Sequence, residues 1–266
     1  MKQVKEKHIV LCADDFGMNQ AVNDGIVALA GQGRLSATTC LVGGPAFRSG
    51  APALLASGLR SGLHLNFTES MGQAGLYMPV SYLIRHSMLR QLDVHQLRAQ
   101  IDTQLDQYED AMGQAPAFVD GHQHVHQFAQ IRTELLHALD RRYPQHKPRL
   151  RYTWPARLTG TPIAQRLKAH IIGALGARPF AALARQQGYP MNRAFLGVYD
   201  FAGGPQGYAV LLQAWLQTVQ DGDMVMCHPA ARVQANDSLG AQRYAEFQVL
   251  GSPDLGDWLS AYGVRL

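Results

Sequence analysis

Along almost all of the 266 residues, short apolar runs rich in β-branched side chains alternate with apolar stripes at helical spacing. HIVLCA (8–13) is followed by Val22, Ile26, Leu29 and Ala30, a helical stripe that Gly31 and Gly33 stop. SATTCLVGG (36–44) precedes a helical stretch through Ala53 to Ala56, and LRSGLHLNF (59–67) reads as a third strand. Val94, Leu97, Ile101, Leu105, Tyr108 and Met112 share one helical face, which Gly113 ends before AFVDGHQH resumes as a strand. The pattern continues with a helix near 130–142, RLRYTW, helical stretches within 163–187, AFLGVYDF, a helix over 207–219, MVMCHP, and a last helix before GVRL. Roughly seven or eight such alternations, with no change of composition between them, predict an α/β fold with a parallel sheet closed or nearly closed as a barrel. One domain over residues 1–266 is expected.

Composition agrees with that reading and excludes others. With 47% hydrophobic and 17% charged residues the chain has the material for a large buried core and is not a disordered one. A net charge of +4 spread over the whole chain is no nucleic-acid signature. The local cluster RRYPQHKPRLR (141–151) reads as a solvated helix end and loop rather than an anion site. Cys12, Cys40 and Cys227 each sit among apolar residues, as reduced, buried thiols of a cytoplasmic protein would. The apolar run after the basic MKQVKEK is too short for a signal segment or a membrane span. Residues 68–90 show no clean period and predict a long irregular connection, the natural material of a lid.

In parallel α/β sheets the chemistry gathers at the C-terminal strand ends. Here those ends carry Asp14 and Asp15 on the first strand, His64 on the third, Asp120 and His122 on the fourth, and His228 on the penultimate one. Two imidazoles and a carboxylate make a facial donor set that leaves positions open on a divalent ion, and a second carboxylate beside it can act as a base. Adjacent aspartates in a strand point to different sides, which suits one ligand and one base. Each motif alone has a plainer reading: ADDFG as a helix cap, His64 as a satisfied interior histidine, MVMCHP as an ordinary buried strand. In DGHQHVHQF (120–128) spacing does not decide which histidine holds a metal, because both strand and helix periods pair an aspartate with a histidine.

ADDFG, GLHLNFT, DGHQHVH and MCHP, in this order and at these separations, resemble the YdjC family of carbohydrate deacetylases, which includes chitooligosaccharide and hopanoid-associated deacetylases. The similarity spans nearly the whole chain, sparse between the motifs and specific at them. It implies a distorted (β/α) barrel related to the polysaccharide deacetylases, and hydrolysis of an N-acetyl group from an amino sugar or glycolipid. Asp15, His64 and His122 would be the metal ligands, Asp14 the base and His228 the acid. Asp120, two residues before His122, would orient a ligand from outside the metal's immediate contacts. His124 and His126 would lie on the turn leaving the strand, near the cleft. The stretch 68–90 and GVYDFAGG (197–204) would line a sugar pocket, with Tyr77, Tyr199 and Trp154 available to stack on a pyranose.

One divalent ion is therefore expected, magnesium or zinc first, with manganese and cobalt also compatible with the donors. Two rival readings differ in chemistry. A metal-dependent phosphoesterase or amidohydrolase generally carries its HxH pair on the first strand, where this chain has Asp14 and Asp15. A non-catalytic sugar-binding protein would more readily have lost one of Asp14, Asp15, His64, His122 and His228. The expected partner is an N-acetylated sugar substrate rather than a nucleic acid, and a homodimer stays open.

Overall fold

The computed structural model describes residues 6–266, so the first residues of the basic N-terminal stretch lie outside the described residues. In chain order the elements are β1 (Lys7–His8), β2 (Val10–Phe16), α1 (Gln20–Gly31), β3 (Ala37–Cys40), α2 (Phe47–Ala56), β4 (Arg60–Leu65), α3 (Val80–Met88), α4 (Val94–Met112) and β5 (Phe118–Gly121). A 3₁₀ turn (His122–Gln127) follows, then α5 (Ala129–Arg142), β6 (Arg149–Leu150), α6 (Ile163–Ala174), α7 (Ala177–Gln186), β7 (Phe195–Leu196), α8 (Gly204–Thr218), β8 (Met224–Cys227), α9 (Gly240–Leu250), α10 (Pro253–Ala261) and β9 (Val264–Arg265).

Local chemistry accounts for the element ends that flank the strands. Asn19 caps α1 by accepting from the Val22 amide at 2.9 Å, and Asp93 caps α4 by accepting from the His95 and Gln96 amides. Gly113 closes α4 in the left-handed region, with φ 66°. Within the stretch expected to be irregular, Leu83 and Ser87 are buried and α3 forms, so the loop is shorter than its sequence suggested.

Seven strands form one parallel sheet in the order β6-β5-β4-β3-β2-β8-β7. The sheet curls until its edges nearly meet: single parallel bridges join Leu150 to Met191 and Pro155 to Phe195, across the gap between β6 and β7. GVRL does not enter this sheet; β9 pairs with β1 as a separate two-stranded ribbon. A continuous core runs from Leu11 and Ala13 on β2 to Leu97, Leu135 and Trp215 on the surrounding helices. Because every strand runs the same way, the C-terminal ends of β2, β4, β5 and β8 open on one rim, where the polar strand-end residues stand.

Candidate active site

At the end of β2 the ladder breaks. The pairing with β3 shifts between Ala13 and Phe16, and Asp15 takes φ 72°, a left-handed conformation costly for a residue with a Cβ. The irregularity re-aims the side chains, as bulges beside active sites do. Asp14 and Asp15, expected on opposite sides of a regular strand, instead both face the same cavity. Gly17 then turns the chain at φ 98°, so close to Phe47 that an added Cβ would stand 2.7 Å from that residue's own Cβ.

Strand register delivers the next pair. His64 on β4 lies opposite Asp120 on β5, and its Nδ1–H donates to Asp120 Oδ1 at 2.6 Å. That bond leaves Nε2 facing Asp15 Oδ1, 3.4 Å away. His122 begins the 3₁₀ turn rather than ending the strand, and its Nδ1 lies 3.1 Å from the same Asp15 oxygen. Its other nitrogen, Nε2, is 3.1 Å from Glu69 Oε1. Both imidazoles thus carry a carboxylate on the nitrogen turned away from Asp15, the arrangement that fixes the tautomer of a metal-bound histidine.

Asp15, His64 and His122 are buried, and one donor atom of each lies within 4.8 Å of the others. In a second trio, Asp14, His64 and Asp120, the donor atoms lie equally close together, but Arg151 already occupies it. Arg151 donates to Asp14 Oδ2 and Oδ1 at 2.6 Å each, and its Nη2 stands 2.6 Å from Asp120 Oδ2. With that guanidinium between the two carboxylates, only the first trio fits a cation. Burial pushes the His64 imidazole down, but Asp120 and Asp14 outweigh it and hold it at about 10. Burial likewise works against the charge of His122, whose ring is raised by Asp15 and Glu69. Both rings stand where positive charge is favoured, and an ion would compete with their protons for the same lone pairs.

Burial would raise the Asp14 and Asp15 carboxyls, yet both are held low, Asp14 by Arg151 and Asp15 chiefly by Arg243. Arg243 donates to Asp15 Oδ2 at 2.7 Å, so the two oxygens of Asp15 are divided between the arginine and the histidines. Across the cavity, His228 follows β8. Its amide donates to Glu246 Oε2 at 2.6 Å, and the Tyr199 hydroxyl donates to Oε1 of the same carboxylate at 2.5 Å. The His228 ring stacks edge-on to Phe201 at 4.9 Å, and its Nδ1 has no hydrogen-bond partner among the described residues. Burial lowers the ring to about 4, so it is neutral at pH 7. Glu246, buried in turn, is pushed up to about 7.

The sequence profile described as YdjC-like protein matches residues 8–261. The chain belongs to the YdjC-like family. A mouse relative named carbohydrate deacetylase is 27% identical over 97% of this chain and 92% of its own length. One from Vibrio parahaemolyticus, of the same name, is 26% identical over 97% and 93%. A chitooligosaccharide deacetylase from Escherichia fergusonii is 31% identical, over 47% of this chain and 53% of its own. Among solved structures, an Enterococcus faecalis protein described in terms of cellobiose-phosphate cleavage superposes with TM-score 0.70 at 19% identity, covering 98% and 97% of the two chains. A peptidoglycan N-acetylglucosamine deacetylase superposes at 0.52 and 13% identity, covering 99% and 86%. These likenesses establish the fold: a curled parallel half-barrel like that of the polysaccharide deacetylases.

In this YdjC-like chain the five expected residues, Asp14, Asp15, His64, His122 and His228, all line one cavity of about 700 Å³. The histidine cluster divides. His124, in the left-handed region at φ 60°, lines the cavity with its ring edge-on to Phe195. His126 turns inward, wholly buried against Phe180, and its Nε2 donates to the Arg151 carbonyl at 3.1 Å. Neither lies among the converging donors.

Of the three aromatics expected to stack on a sugar, Tyr199 alone lines the catalytic cavity. Tyr199 is locked among Phe201, Tyr208 and Trp215 with its hydroxyl on Glu246, Trp154 lies under the Arg178 guanidinium, and Tyr77 borders a different depression. Phe201, half-buried, joins Tyr199 in lining the cavity from the 197–204 segment. From the 68–90 stretch only Glu69 and Met71 reach it. Arg151, Glu69, Arg243 and Glu246 are additions that sequence reasoning missed. Arg151 stood inside the basic cluster read as solvated, although it follows β6 immediately and the strand-end rule applied there would have found it.

Proposed function

We propose that the protein is a metal-dependent carbohydrate N-deacetylase, removing the acetyl group of an amino sugar or glycoconjugate as acetate. The reading rests on one observation above all: a single oxygen of Asp15 is approached by Nε2 of His64 and Nδ1 of His122, with Asp14 next along the chain. A divalent ion held by these three residues would supply Lewis acidity to the acetyl carbonyl and to an attacking water. Magnesium and zinc are the first choices for such donors.

Asp14 is the base in this reading. Its clamp by Arg151 keeps it ionised and fixes its direction, so its contribution is orientation more than basicity. His228, across the cavity, supplies the proton to the departing nitrogen. Because its ring is neutral at rest, it delivers a proton gained during the reaction: the one Asp14 removes from the attacking water is passed on to the ring, and from the ring to the nitrogen as the C–N bond breaks. Glu246 and Tyr199 hold His228 through its backbone, and Phe201 covers its ring. The family profile spans nearly the whole chain, which supports one catalytic domain over 1–266, and the three buried free thiols fit a cytoplasmic location.

Acetate release from N-acetylglucosamine oligomers and lipid-linked amino sugars, by chelated and by magnesium- or zinc-reloaded protein, tests the proposal. Asp14→Asn and His228→Ala should each lower turnover by about 10²–10⁴-fold while the protein still takes up metal. Phosphate release from phosphoesters in place of acetate would favour the phosphoesterase reading, and sugar binding without turnover the non-catalytic one.

A further inference from the structure

Between Asp140 and Asp200 the chain contains no acidic residue, yet it carries eleven of the 24 lysines and arginines. Some of these cations are spoken for: Lys147 pairs with Asp140, Arg193 with Asp223, and Arg151 lies in the site. Arg157, Arg166, Arg178 and Arg185 are exposed and meet no carboxylate within ion-pair distance among the described residues.

The same segment contains α6, which exposes Ile163, Leu167 and Ile171 at 74%, 60% and 53%. Residues four apart stack along one side of a helix, so these three form a continuous apolar ridge. Arg157, Arg166 and His170 border a groove beside its start, together with Ile163. Arg178 covers Trp154, whose ring also meets His170. The other side of α6 sends Lys168 and Ile172 to the wall of the catalytic cavity.

We infer that α6 and the arginines around it form a docking face for an anionic lipid surface. An apolar ridge flanked by unpaired cations matches the two layers of such a surface: acyl chains for Ile163, Leu167 and Ile171, headgroup phosphates for Arg157 and Arg166. A second copy of the chain fits poorly, because it would bring the same acid-free segment to the contact, with no carboxylate of residues 141–199 to meet the arginines. Nucleic acid would use the cations and leave the ridge in water. Docked this way, the chain rests on the membrane rather than crossing it, for among the described residues no helix is long and apolar enough to span one. The cavity wall built by Lys168 and Ile172 then lies close to the lipid. The inference goes beyond the deacetylase reading and does not depend on it.

Co-sedimentation of the full chain with vesicles of phosphatidylcholine, alone or mixed with phosphatidylglycerol, tests it. At low salt, binding to the anionic vesicles should exceed binding to neutral ones at least about tenfold, and raising the salt should weaken it. The double variants Leu167→Glu with Ile171→Glu and Arg157→Glu with Arg166→Glu change exposed side chains only. Each should lower binding about tenfold or more at unchanged thermal stability. Equal binding to both vesicle types, or anionic binding that Leu167→Glu with Ile171→Glu leaves intact, overturns the inference. So does a dimer in sedimentation equilibrium that this variant dissolves while vesicles are ignored.

Discussion

Arg151 grips Asp14 through two hydrogen bonds of 2.6 Å and reaches Asp120 with the same Nη2. One wholly buried guanidinium therefore joins the proposed base to the carboxylate that orients His64. Removing it would strand two buried carboxylates. Arg151→Met should cost about 3–5 kcal/mol of folding stability, read as a lowered urea midpoint; a shift worth less than about 1 kcal/mol would mean the site relaxes without its cation.

Asp120 stands between Arg151 and His64 Nδ1. Asp120→Asn keeps the shape but weakens the hold on the imidazole. Metal affinity should fall about 10–100-fold, measured by competition with a chelator of known affinity. An unaltered affinity would show that His64 needs no orienting carboxylate.

His122 and His126 separate ligand from scaffold. His122→Ala should abolish stoichiometric metal in elemental analysis. His126→Ala removes a ring that touches Phe180 and the Arg151 carbonyl, so it should lower stability while the folded fraction keeps its metal. The reverse pattern would overturn the assignment.

Glu246 and His228 oppose each other in the pH dependence of stability. Burial lowers His228 to about 4, so between there and its ordinary value near 6.5 the unfolded chain binds the extra proton and stability rises with pH. Burial raises Glu246 to about 7. From its ordinary value near 4.5 up to that point the folded chain keeps the proton, and stability falls as pH rises. Glu246→Gln should remove the second effect and leave the first. In metal-free protein, the slope of stability against pH between 5 and 6.5 should then become more positive by up to about 1.4 kcal/mol per pH unit. Parallel curves for the two proteins would show that Glu246 is ionised throughout.

Much of the site was legible because it sits where a parallel sheet must put it. Asp14, Asp15, His64, Asp120 and His228 interrupt apolar runs, and the direction of the strands brings such interruptions to one rim. Arg151, Glu69, Arg243 and Glu246 left no such mark. Arg151 was one cation among many, Glu69 lies in a loop, and Arg243 and Glu246 lie on α9, where charged residues are ordinary. The surroundings of Tyr199 were hidden for a related reason: nothing in its neighbours along the chain shows that Glu246 and Trp215 enclose it.

The order of strands and helices, and the residue types at the strand ends, follow from local periodicity and from turn and cap chemistry, so the chain alone determined them. The partners of those residues did not follow, since Arg151 lies 137 positions from Asp14 and Arg243 lies 228 from Asp15. Those pairings exist only because the sheet holds β2 among its interior strands and curls its edges together. Whether each buried carboxylate is a base, a ligand or a support depends on which cation stands beside it, and that is a property of distance in space.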